Sequence, residues 1–311
     1  MSDSAQPSQA DQVSAAELAL AGLDLLTRGV TSKAAALAER ARSLAPREPA
    51  GWQLACEVAR AAGRLDEAAR AARHWSELAP ADDQARAMAA VLNGDPLPEG
   101  YPGLAAVPFI VLDGFLSPER HAQVVDYFLE AVVDLIEASV VKGDGKRVRD
   151  DAARSARVGY EPTALKAWFL PLVAEHFPEC FRRFAIPVFE PARLELQLTA
   201  SFHGDFYKAH RDYDPEKPNG VETRRISYVY YFRPPGGSFE EGHLRLYDWR
   251  KPDDVAAAKR FTTVLPLDNR LILFPSHALH EVMAVRALSG RVEDGRFTLN
   301  GWANVAPPPA P

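Results

Sequence analysis

Two different hydrophobic periodicities divide the chain. Residues 14–92 place apolar side chains at helical spacing in a background rich in Ala, Leu, Arg and Glu, a pattern that predicts amphipathic helices. From Ala192 onward the pattern changes to short apolar runs separated by turn residues such as Pro234-Pro235-Gly236-Gly237. Runs of this kind are typical of the strands of a sandwich or barrel. The chain is therefore expected to be of the α+β class, with an all-α segment first and a β-rich segment last.

The second part of the chain is predicted to begin with a mixture of helix and strand. A strand is expected over residues 108–112, followed by a helix that Ser117 caps and that continues to about Val141. Residues 142–156 are charged and contain two glycines, which predicts a mobile loop. A second helix is expected over residues 162–184.

Seven strands are predicted in the remainder, a number that fits a jelly roll of two four-stranded sheets. They are Leu194–Ser201, Arg225–Phe232, His243–Asp248, Phe261–Pro266, Arg270–Phe274, His280–Val285 and Arg296–Ala303.

The helical segment repeats itself with a period of 34 residues: Gly29 matches Gly63, Ala34 matches Ala68, and Leu44-Ala45-Pro46 matches Leu78-Ala79-Pro80. This is the period of tetratricopeptide repeats, which pair antiparallel helices, and the segment resembles them. The resemblance implies a surface for peptides, while a plain helical bundle is the alternative. Two repeats are fewer than the three or so that such stacks need, so we expect support from the second domain, a partner or a second copy of the chain.

These boundaries define the expected organisation. A disordered N-terminus (1–13) precedes a tetratricopeptide-like domain (14–93), a linker rich in Pro and Gly (94–106), a second domain (107–304) and a disordered tail (305–311).

Composition excludes some classes of function. The chain has 311 residues, a net charge of −6 and a hydrophobic fraction of 47%, which favours a soluble protein and argues against nucleic acid as its partner. No apolar run approaches the ~20 residues of a membrane span, and the N-terminus lacks the pattern of a secretory signal. Cys56 and Cys180 match no metal or redox spacing. We therefore expect a cytoplasmic protein with no membrane partner.

A candidate metal site comes from three residues. His210 and Asp212 are two positions apart, so on a strand their side chains would point to the same face; His280 follows in a strand-like context. Two histidines and one carboxylate that leave coordination positions open are typical of non-haem Fe(II) oxygenases. Taken alone, however, a His-x-Asp pair is most often a polar pair on the surface.

Three sequence motifs extend this pattern. Residues 206–212 contain Tyr-x-x-His-x-Asp, residues 274–282 read Phe-Pro-Ser-x-x-x-His-x-Val, and residues 295–302 read Gly-Arg-x-Thr-x-x-Gly-Trp. In this order they resemble the Fe(II)/2-oxoglutarate dioxygenase superfamily, and within it the prolyl 4-hydroxylase-like branch, over about residues 107–304. The resemblance implies a double-stranded β-helix (jelly roll) as the catalytic domain.

The resemblance also implies the cofactors. Fe(II) would be held by His210, Asp212 and His280, with 2-oxoglutarate and O2 as co-substrates and ascorbate as a further candidate. Arg296 matches the position that binds the far carboxylate of 2-oxoglutarate, a task that suits the guanidinium fork. Arg286 and Arg291 remain rivals for this role.

Three further side chains are implied around 2-oxoglutarate. Thr298 lies two residues after Arg296 and is expected to donate a hydrogen bond, while Tyr207 and Tyr231 match tyrosines that line this pocket in the family.

The expected activity is hydroxylation of a C–H bond, because a retained Asp212 completes the ligand set, with release of succinate and CO2. A protein or peptide side chain, recruited by the helical repeats, is the expected substrate. One alternative is a small-molecule oxygenase whose repeats mediate homodimerisation. A non-catalytic scaffold and a cupin-type dioxygenase that does not use 2-oxoglutarate are the others.

Overall fold

The structure is a computed structural model that describes residues 13–141, 147–160, 162–214, 223–249 and 259–306. The chain divides into two compact units, with the boundary between Asn93 and Gly94. The predicted disorder of residues 1–13 lies outside the described residues except at its last position, and most of the predicted tail, residues 307–311, lies outside them as well.

The first unit contains five helices that form two successive hairpins and one further helix. They are α1 (Ala15–Thr27), α2 (Thr31–Leu44), α3 (Pro49–Ala61), α4 (Leu65–Leu78) and α5 (Asp83–Leu92). Gly29 and Gly63 occupy equivalent hairpin turns with φ of 76° and 72°, a backbone conformation that glycine adopts without steric cost.

The two hairpins pack in the same way. Ala34 and Ala68 begin equivalent second helices, and neither side chain is exposed to solvent. A small side chain at this position lets two helix backbones approach each other closely. The 34-residue period therefore corresponds to a repeated helical hairpin, and the assignment of the hairpins to the tetratricopeptide class remains a prediction.

The second unit contains three helices and seventeen short strands within its described residues. The helices are α6 (Pro118–Ala131), α7 (Thr163–Ala174) and α8 (Phe177–Phe184). The strands are β1 (Ile110–Asp113), β2 (Ile136–Glu137), β3 (Val140–Val141), β4 (Arg147–Val148), β5 (Arg154–Ser155), β6 (Arg157–Tyr160), β7 (Arg193–Leu194), β8 (Gln197–Ser201), β9 (Phe206–His210), β10 (Arg224–Phe232), β11 (Glu240–Glu241), β12 (Leu244–Tyr247), β13 (Phe261–Val264), β14 (Arg270–Pro275), β15 (His280–Val282), β16 (Val285–Arg286) and β17 (Arg296–Asn304).

Two antiparallel sheets dominate this unit. The larger sheet has the strand order β1-β14-β10-β17-β8-β6-β2, with β7 also paired to β17, and the smaller sheet has the order β13-β12-β15-β9-β5. Apart from β12 and β13, neighbours in both sheets are not consecutive in sequence, which is how a jelly roll winds its chain between two sheets. Helix and antiparallel sheet are thus combined as the α+β prediction requires.

Strand alternation explains how the layers assemble. On β14, Ile272 and Phe274 belong to an apolar cluster with Leu244 and Leu246 of the smaller sheet, while Leu271 and Leu273 of the same strand belong to another cluster. Because successive side chains of a strand point to opposite faces, one face of the larger sheet packs against the smaller sheet.

The other face of the larger sheet is covered by helices. The ring of Phe128 on α6 lies 4.0 Å from that of Phe297, and the ring of Phe169 on α7 lies 5.6 Å from that of Tyr230. Cys180 on α8 is a buried free thiol in the same cluster. The helices thus cover the face of the larger sheet that points away from the smaller sheet.

Three predictions of local structure were wrong. The helix predicted to continue to Val141 ends at Ala131; a short 3-10 helix (Val132–Asp134) follows, and then β2 and β3. These two strands contain Ile136, Val140 and Val141, whose branched side chains favour strands. The helix predicted over residues 162–184 is two helices, because Pro178 lies in the first turn of α8, where proline begins a helix.

The third concerns residues 142–156, which were predicted to form a mobile loop. Residues 142–146 lie outside the described residues, and the rest carries β4 and β5, of which β5 pairs with β9.

Among the described residues, no helix is both long enough and apolar enough to cross a membrane.

Candidate metal centre

Paired strands bring the two histidines of the candidate site together. His210 ends β9, His280 begins β15, and the two residues are direct partners across the antiparallel pair. Their rings lie 4.1 Å apart between centroids. Residues opposite each other on neighbouring strands share a face of the sheet, so the sheet register itself positions two candidate ligands.

Asp212 reaches the site in a different way from the one predicted. β9 ends at His210, and Asp212 lies in the bend that follows the strand rather than on the strand itself. The prediction of a shared strand face was therefore wrong, although the three residues do converge. The bend turns the carboxylate back towards the rings: Asp212 Oδ1 lies 3.8 Å from His210 Nε2, and Oδ2 lies 3.6 Å from His280 Nε2.

The three side chains could share one metal ion. One potential ligand atom from each of His210, Asp212 and His280 lies within 4.8 Å of the other two. Two imidazole nitrogens and one carboxylate oxygen suit Fe(II), and this set leaves coordination positions for other ligands.

Backbone contacts orient both imidazole rings. His210 Nδ1 lies 2.8 Å from the carbonyl oxygen of Lys208, and His280 Nδ1 lies 2.9 Å from that of Ala278. Since a carbonyl only accepts hydrogen bonds, each Nδ1 carries the proton and donates it. Each Nε2 then holds a lone pair directed at the space beside Asp212, the tautomer that metal binding requires.

Ionisation favours the same state. Burial, followed by the charge of nearby His280, lowers the pKa of His210 to about 3, so this imidazole is neutral at neutral pH. Burial acts to raise the pKa of Asp212, but His280, His210, Arg224 and the hydrogen bond from Ser227 together outweigh burial, and the pKa is lowered. A neutral imidazole and an ionised carboxylate are the forms that bind metals.

A serine that the sequence motifs did not reveal completes the arrangement. Ser227 Oγ donates a hydrogen bond of 2.7 Å to Asp212 Oδ2 and lies 3.0 Å from Ser276 Oγ. Ser227 is on β10, the central strand of the larger sheet, and is 1% exposed. Its position among aromatic and branched residues gives no sequence signal, because only the strand pairing shows that it faces Asp212.

Ser227→Ala should weaken Fe(II) binding by about 10- to 100-fold, the usual effect of removing a group that orients a metal ligand. The measurement is the Fe(II) dissociation constant under anaerobic conditions. Thr262→Ser, a change at another buried hydroxyl, is the control. An unchanged dissociation constant in Ser227→Ala would show that this hydrogen bond does not orient Asp212 for metal binding.

The three candidate ligands open into a cavity of about 460 Å³. One wall consists of side chains at alternate positions of β8 and β17, which are Gln197, Thr199, Ser201, Arg296, Thr298, Asn300 and Trp302. Polar residues therefore occupy the inner face of two neighbouring strands, where an ordinary core would be apolar.

Arg296 is the notable member of this wall. It is 4% exposed, its Nε donates a hydrogen bond of 2.8 Å to the carbonyl oxygen of Gly242, and its Cζ lies 5.0 Å from the ring centroid of Tyr231. Among the described residues, no carboxylate pairs with this guanidinium. Burial lowers its pKa. A buried cation without a counter-charge is energetically costly, so its presence in a cavity wall indicates an anionic ligand.

The rival arginines lie elsewhere. Arg291 is 56% exposed and faces Glu293 and Asp294, and Arg286 is 50% exposed and pairs with Glu240. Neither lines the cavity. Of these three arginines, only Arg296 lines the cavity beside the candidate metal ligands.

The other predicted residues surround the same space with one difference. Thr298 is buried in the cavity wall beside Arg296, and Tyr207 lines the cavity with its ring stacked 3.4 Å from that of His210. Tyr231 does not line the cavity; it is buried behind Arg296, and its ring centroid lies 5.0 Å from the guanidinium carbon. Burial raises the pKa of Tyr231, which keeps its hydroxyl protonated and able to donate.

Similarity to known proteins agrees with the geometry. The sequence model of the 2OG-Fe(II) oxygenase superfamily matches residues 196–304, a range that includes the three candidate ligands and Arg296. An uncharacterised PKHD-type hydroxylase of Synechocystis is 32% identical over 192 residues. That alignment covers 61% of this chain and 61% of the relative.

Solved structures also match part of the chain. A prolyl-4-hydroxylase of Pseudomonas putida has a TM-score of 0.46 and 15% identity, with 65% of this chain and 94% of that chain covered. A prolyl hydroxylase of Trichoplax adhaerens, solved with a hypoxia-inducible factor peptide fragment, has a TM-score of 0.46 and 16% identity, with 63% and 83% covered.

The matched family uses Fe(II), 2-oxoglutarate and O2, and the Synechocystis relative is described as a hydroxylase. The part of the chain that builds the His210, Asp212 and His280 cluster thus matches the 2OG-Fe(II) oxygenase superfamily.

Proposed function

We propose that the protein is an Fe(II)- and 2-oxoglutarate-dependent dioxygenase that hydroxylates a C–H bond of its substrate and releases succinate and CO2. One observation carries the proposal: a cluster of two histidines and one aspartate shares a cavity with a buried arginine that has no carboxylate partner among the described residues. A metal site alone would fit many enzymes, and the buried cation adds a requirement for an anionic co-substrate.

The side chains fit the two groups. His210, Asp212 and His280 would hold Fe(II), and Arg296 would bind the far carboxylate of 2-oxoglutarate with its guanidinium fork, where paired hydrogen bonds are strongest. Thr298 is a further donor beside that fork, and Tyr231 packs against the guanidinium from behind. When bound together, Fe(II), 2-oxoglutarate and O2 would supply the oxidant for hydroxylation, and the protein would contribute orientation and shelter from water.

The residues of the chain have separate tasks in this scheme. The Lys208 and Ala278 carbonyls hold the imidazole protons at Nδ1, and Ser227 holds the Asp212 carboxylate. Both sets of contacts keep the ligand atoms directed at one point before the metal binds. Such preorganisation reduces the reorganisation that metal binding and catalysis would otherwise need.

Turnover of 2-oxoglutarate provides the direct test. The purified chain with Fe(II), 2-oxoglutarate, O2 and a peptide library should form succinate and CO2, and peptides should gain the mass of one oxygen atom. Formation of succinate without any hydroxylated product from peptides or small molecules would contradict the proposed hydroxylase activity.

The substrate we propose is a side chain in a protein or peptide. The first unit supports this choice, because stacked helical hairpins of its kind commonly offer extended surfaces for peptides. A small-molecule oxygenase whose helical hairpins mediate homodimerisation is the second candidate.

Deletion of residues 1–93 should separate the two. If the helical unit recruits a protein substrate, its removal should raise the KM for that protein by about 10-fold or more, because the second binding site and its effective concentration are lost, while the KM for 2-oxoglutarate stays unchanged. The measurement is steady-state kinetics with both substrates, together with the mass of the particle in solution. Loss of a dimer without any change in kinetics would instead support the second candidate.

A further inference from the structure

A second cation lies at the cavity beside the candidate metal ligands. Arg154 lines the cavity, and its Cζ lies 4.8 Å from the ring centroid of Tyr207. The Tyr207 ring in turn stacks on His210 with 3.4 Å between centroids. The guanidinium is therefore within about 8 Å of a candidate metal ligand, at a distance that a bound substrate would span.

The backbone of Arg154 is firmly placed. Arg154 is directly opposite Tyr207 in the pairing of β5 with β9, and on the preceding residue the Ala153 carbonyl oxygen accepts a hydrogen bond of 2.9 Å from the Lys208 amide. On the following residue, Ser155 Oγ donates a hydrogen bond to Asp205. Contacts on both sides of Arg154 thus hold β5 in register with β9, and this pairing fixes the backbone position of Arg154 beside the cavity.

Arg154 differs from the other arginines of the cavity. Arg224 pairs with Glu195 at 2.9 Å, and Arg211 donates a hydrogen bond to the carbonyl oxygen of His277. Arg154 contacts the face of Tyr207, and no carboxylate lies within ion-pair distance of it in the part of the chain that the structure describes. Its hydrogen-bonding edge is available to a ligand.

Charge balance indicates what that ligand is. In the proposed loaded state, the charges of Fe(II) and Arg296 are matched by Asp212 and by the two carboxylates of 2-oxoglutarate. Arg154 is half-buried at the cavity, and among the described residues no carboxylate lies within ion-pair distance of its guanidinium. A carboxylate on the substrate would balance it, and the planar fork of arginine suits a carboxylate better than any neutral group.

We propose that Arg154 selects substrates that carry a carboxylate close to the hydroxylated carbon. This inference rests on the proposed function and adds the chemical class of the substrate. Since an extended chain advances about 3.3 Å per residue, an acidic side chain within two or three positions of the modified residue would reach Arg154. A free carboxylic acid would present the same group.

The test compares acidic compounds with their neutral counterparts. The full-length protein, loaded with Fe(II) and 2-oxoglutarate, is given a synthetic peptide library with equal amounts of Asp, Glu, Asn and Gln, and a separate panel of free carboxylic acids with matched amides. Hydroxylated products are identified by mass spectrometry. Retention of library peptides on the protein loaded with Mn(II) and 2-oxoglutarate measures binding independently of turnover.

Three variants decide the role of the residue. Arg154→Gln should remove the preference for acidic compounds and raise their KM by about 10- to 100-fold, the effect expected for loss of a charged hydrogen bond, with little change in kcat. Arg154→Lys should retain part of the preference. Arg157→Gln is the matched control, because Arg157 is 52% exposed, lies near Glu137 and does not line the cavity.

The outcomes are distinguishable. Equal hydroxylation of acidic and amide peptides would overturn the inference and leave peptide hydroxylation standing. Oxidation of free acids alone, with the same dependence on Arg154, would support the inference and overturn the peptide part of the proposed function. The inference is also overturned if no anionic compound gives a product, or if Arg154→Gln abolishes the visible absorption of the Fe(II)–2-oxoglutarate complex, since that would indicate a structural role.

Discussion

Replacement of Asp212 by alanine should abolish Fe(II) binding and 2-oxoglutarate turnover, with a loss of at least about 100-fold in metal affinity. Loss of a residue that merely orients a metal ligand costs about 10- to 100-fold, and removal of the ligand itself should cost more. Asp212 is also the only carboxylate of the cluster that the described residues form, so no neighbour can replace it. Equilibrium dialysis with Fe(II) and an assay of succinate release measure the two effects.

The metal-free Asp212→Ala protein should fold normally. The change removes a buried negative charge that lies beside the Ser227 hydroxyl and the imidazoles of His210 and His280. Burial of a charge is itself costly, so its removal should leave the fold intact. Asp151→Ala is the control, because Asp151 is exposed and pairs only with Arg149 on the surface. Fe(II) binding by Asp212→Ala at wild-type affinity would contradict the ligand set.

Replacement of Arg296 by methionine should raise the KM for 2-oxoglutarate by about 30- to 3,000-fold, since loss of one partner from a buried charged pair costs about 2–5 kcal/mol. Fe(II) affinity should remain close to that of the wild type, because Arg296 is not a ligand. Arg291→Met provides a matched control. From the sequence, Arg291 was a rival candidate for binding 2-oxoglutarate, but its side chain is exposed and pairs with Glu293. A raised KM in Arg291→Met, with Arg296→Met unaffected, would reverse the assignment.

Stability gives a second readout for the same change. Without 2-oxoglutarate, Arg296→Met should unfold at the same temperature as the wild type or higher, because an apolar side chain of similar size replaces an unmatched buried cation. Addition of 2-oxoglutarate with Mn(II) should raise the unfolding temperature of the wild type, since a ligand that binds the folded state stabilises it. The variant should show a much smaller rise.

Much of the site could be predicted from the sequence because its chemistry demands particular residue types. Few side chains bind Fe(II), so a His-x-Asp pair and a distant histidine were recognisable, and the Gly-Arg-x-Thr motif distinguished Arg296 from its neighbours. The α+β class followed from the change in hydrophobic period near residue 95. These features depend on local pattern alone.

Other features depend on contacts between distant residues. Ser227 on β10 donates a hydrogen bond to Asp212 in the bend after β9, a contact between distant parts of the chain. The sequence around Ser227 is that of an ordinary core strand. Arg154 was assigned to a loop because its segment is charged, whereas pairing with β9 makes it a strand. Asp212 had been predicted to share a strand with His210, but that strand ends at His210. In each case tertiary contacts outweighed local propensity.

The most direct test of the central claim is the visible absorption of the anaerobic protein after addition of Fe(II) and then 2-oxoglutarate. If His210, Asp212 and His280 hold the metal and Arg296 binds the co-substrate, a weak metal-to-ligand band should appear at one equivalent of Fe(II). The band should be absent in Asp212→Ala and should need much more 2-oxoglutarate in Arg296→Met. Absence of the band in the wild type, or its persistence in Asp212→Ala, would contradict the claim.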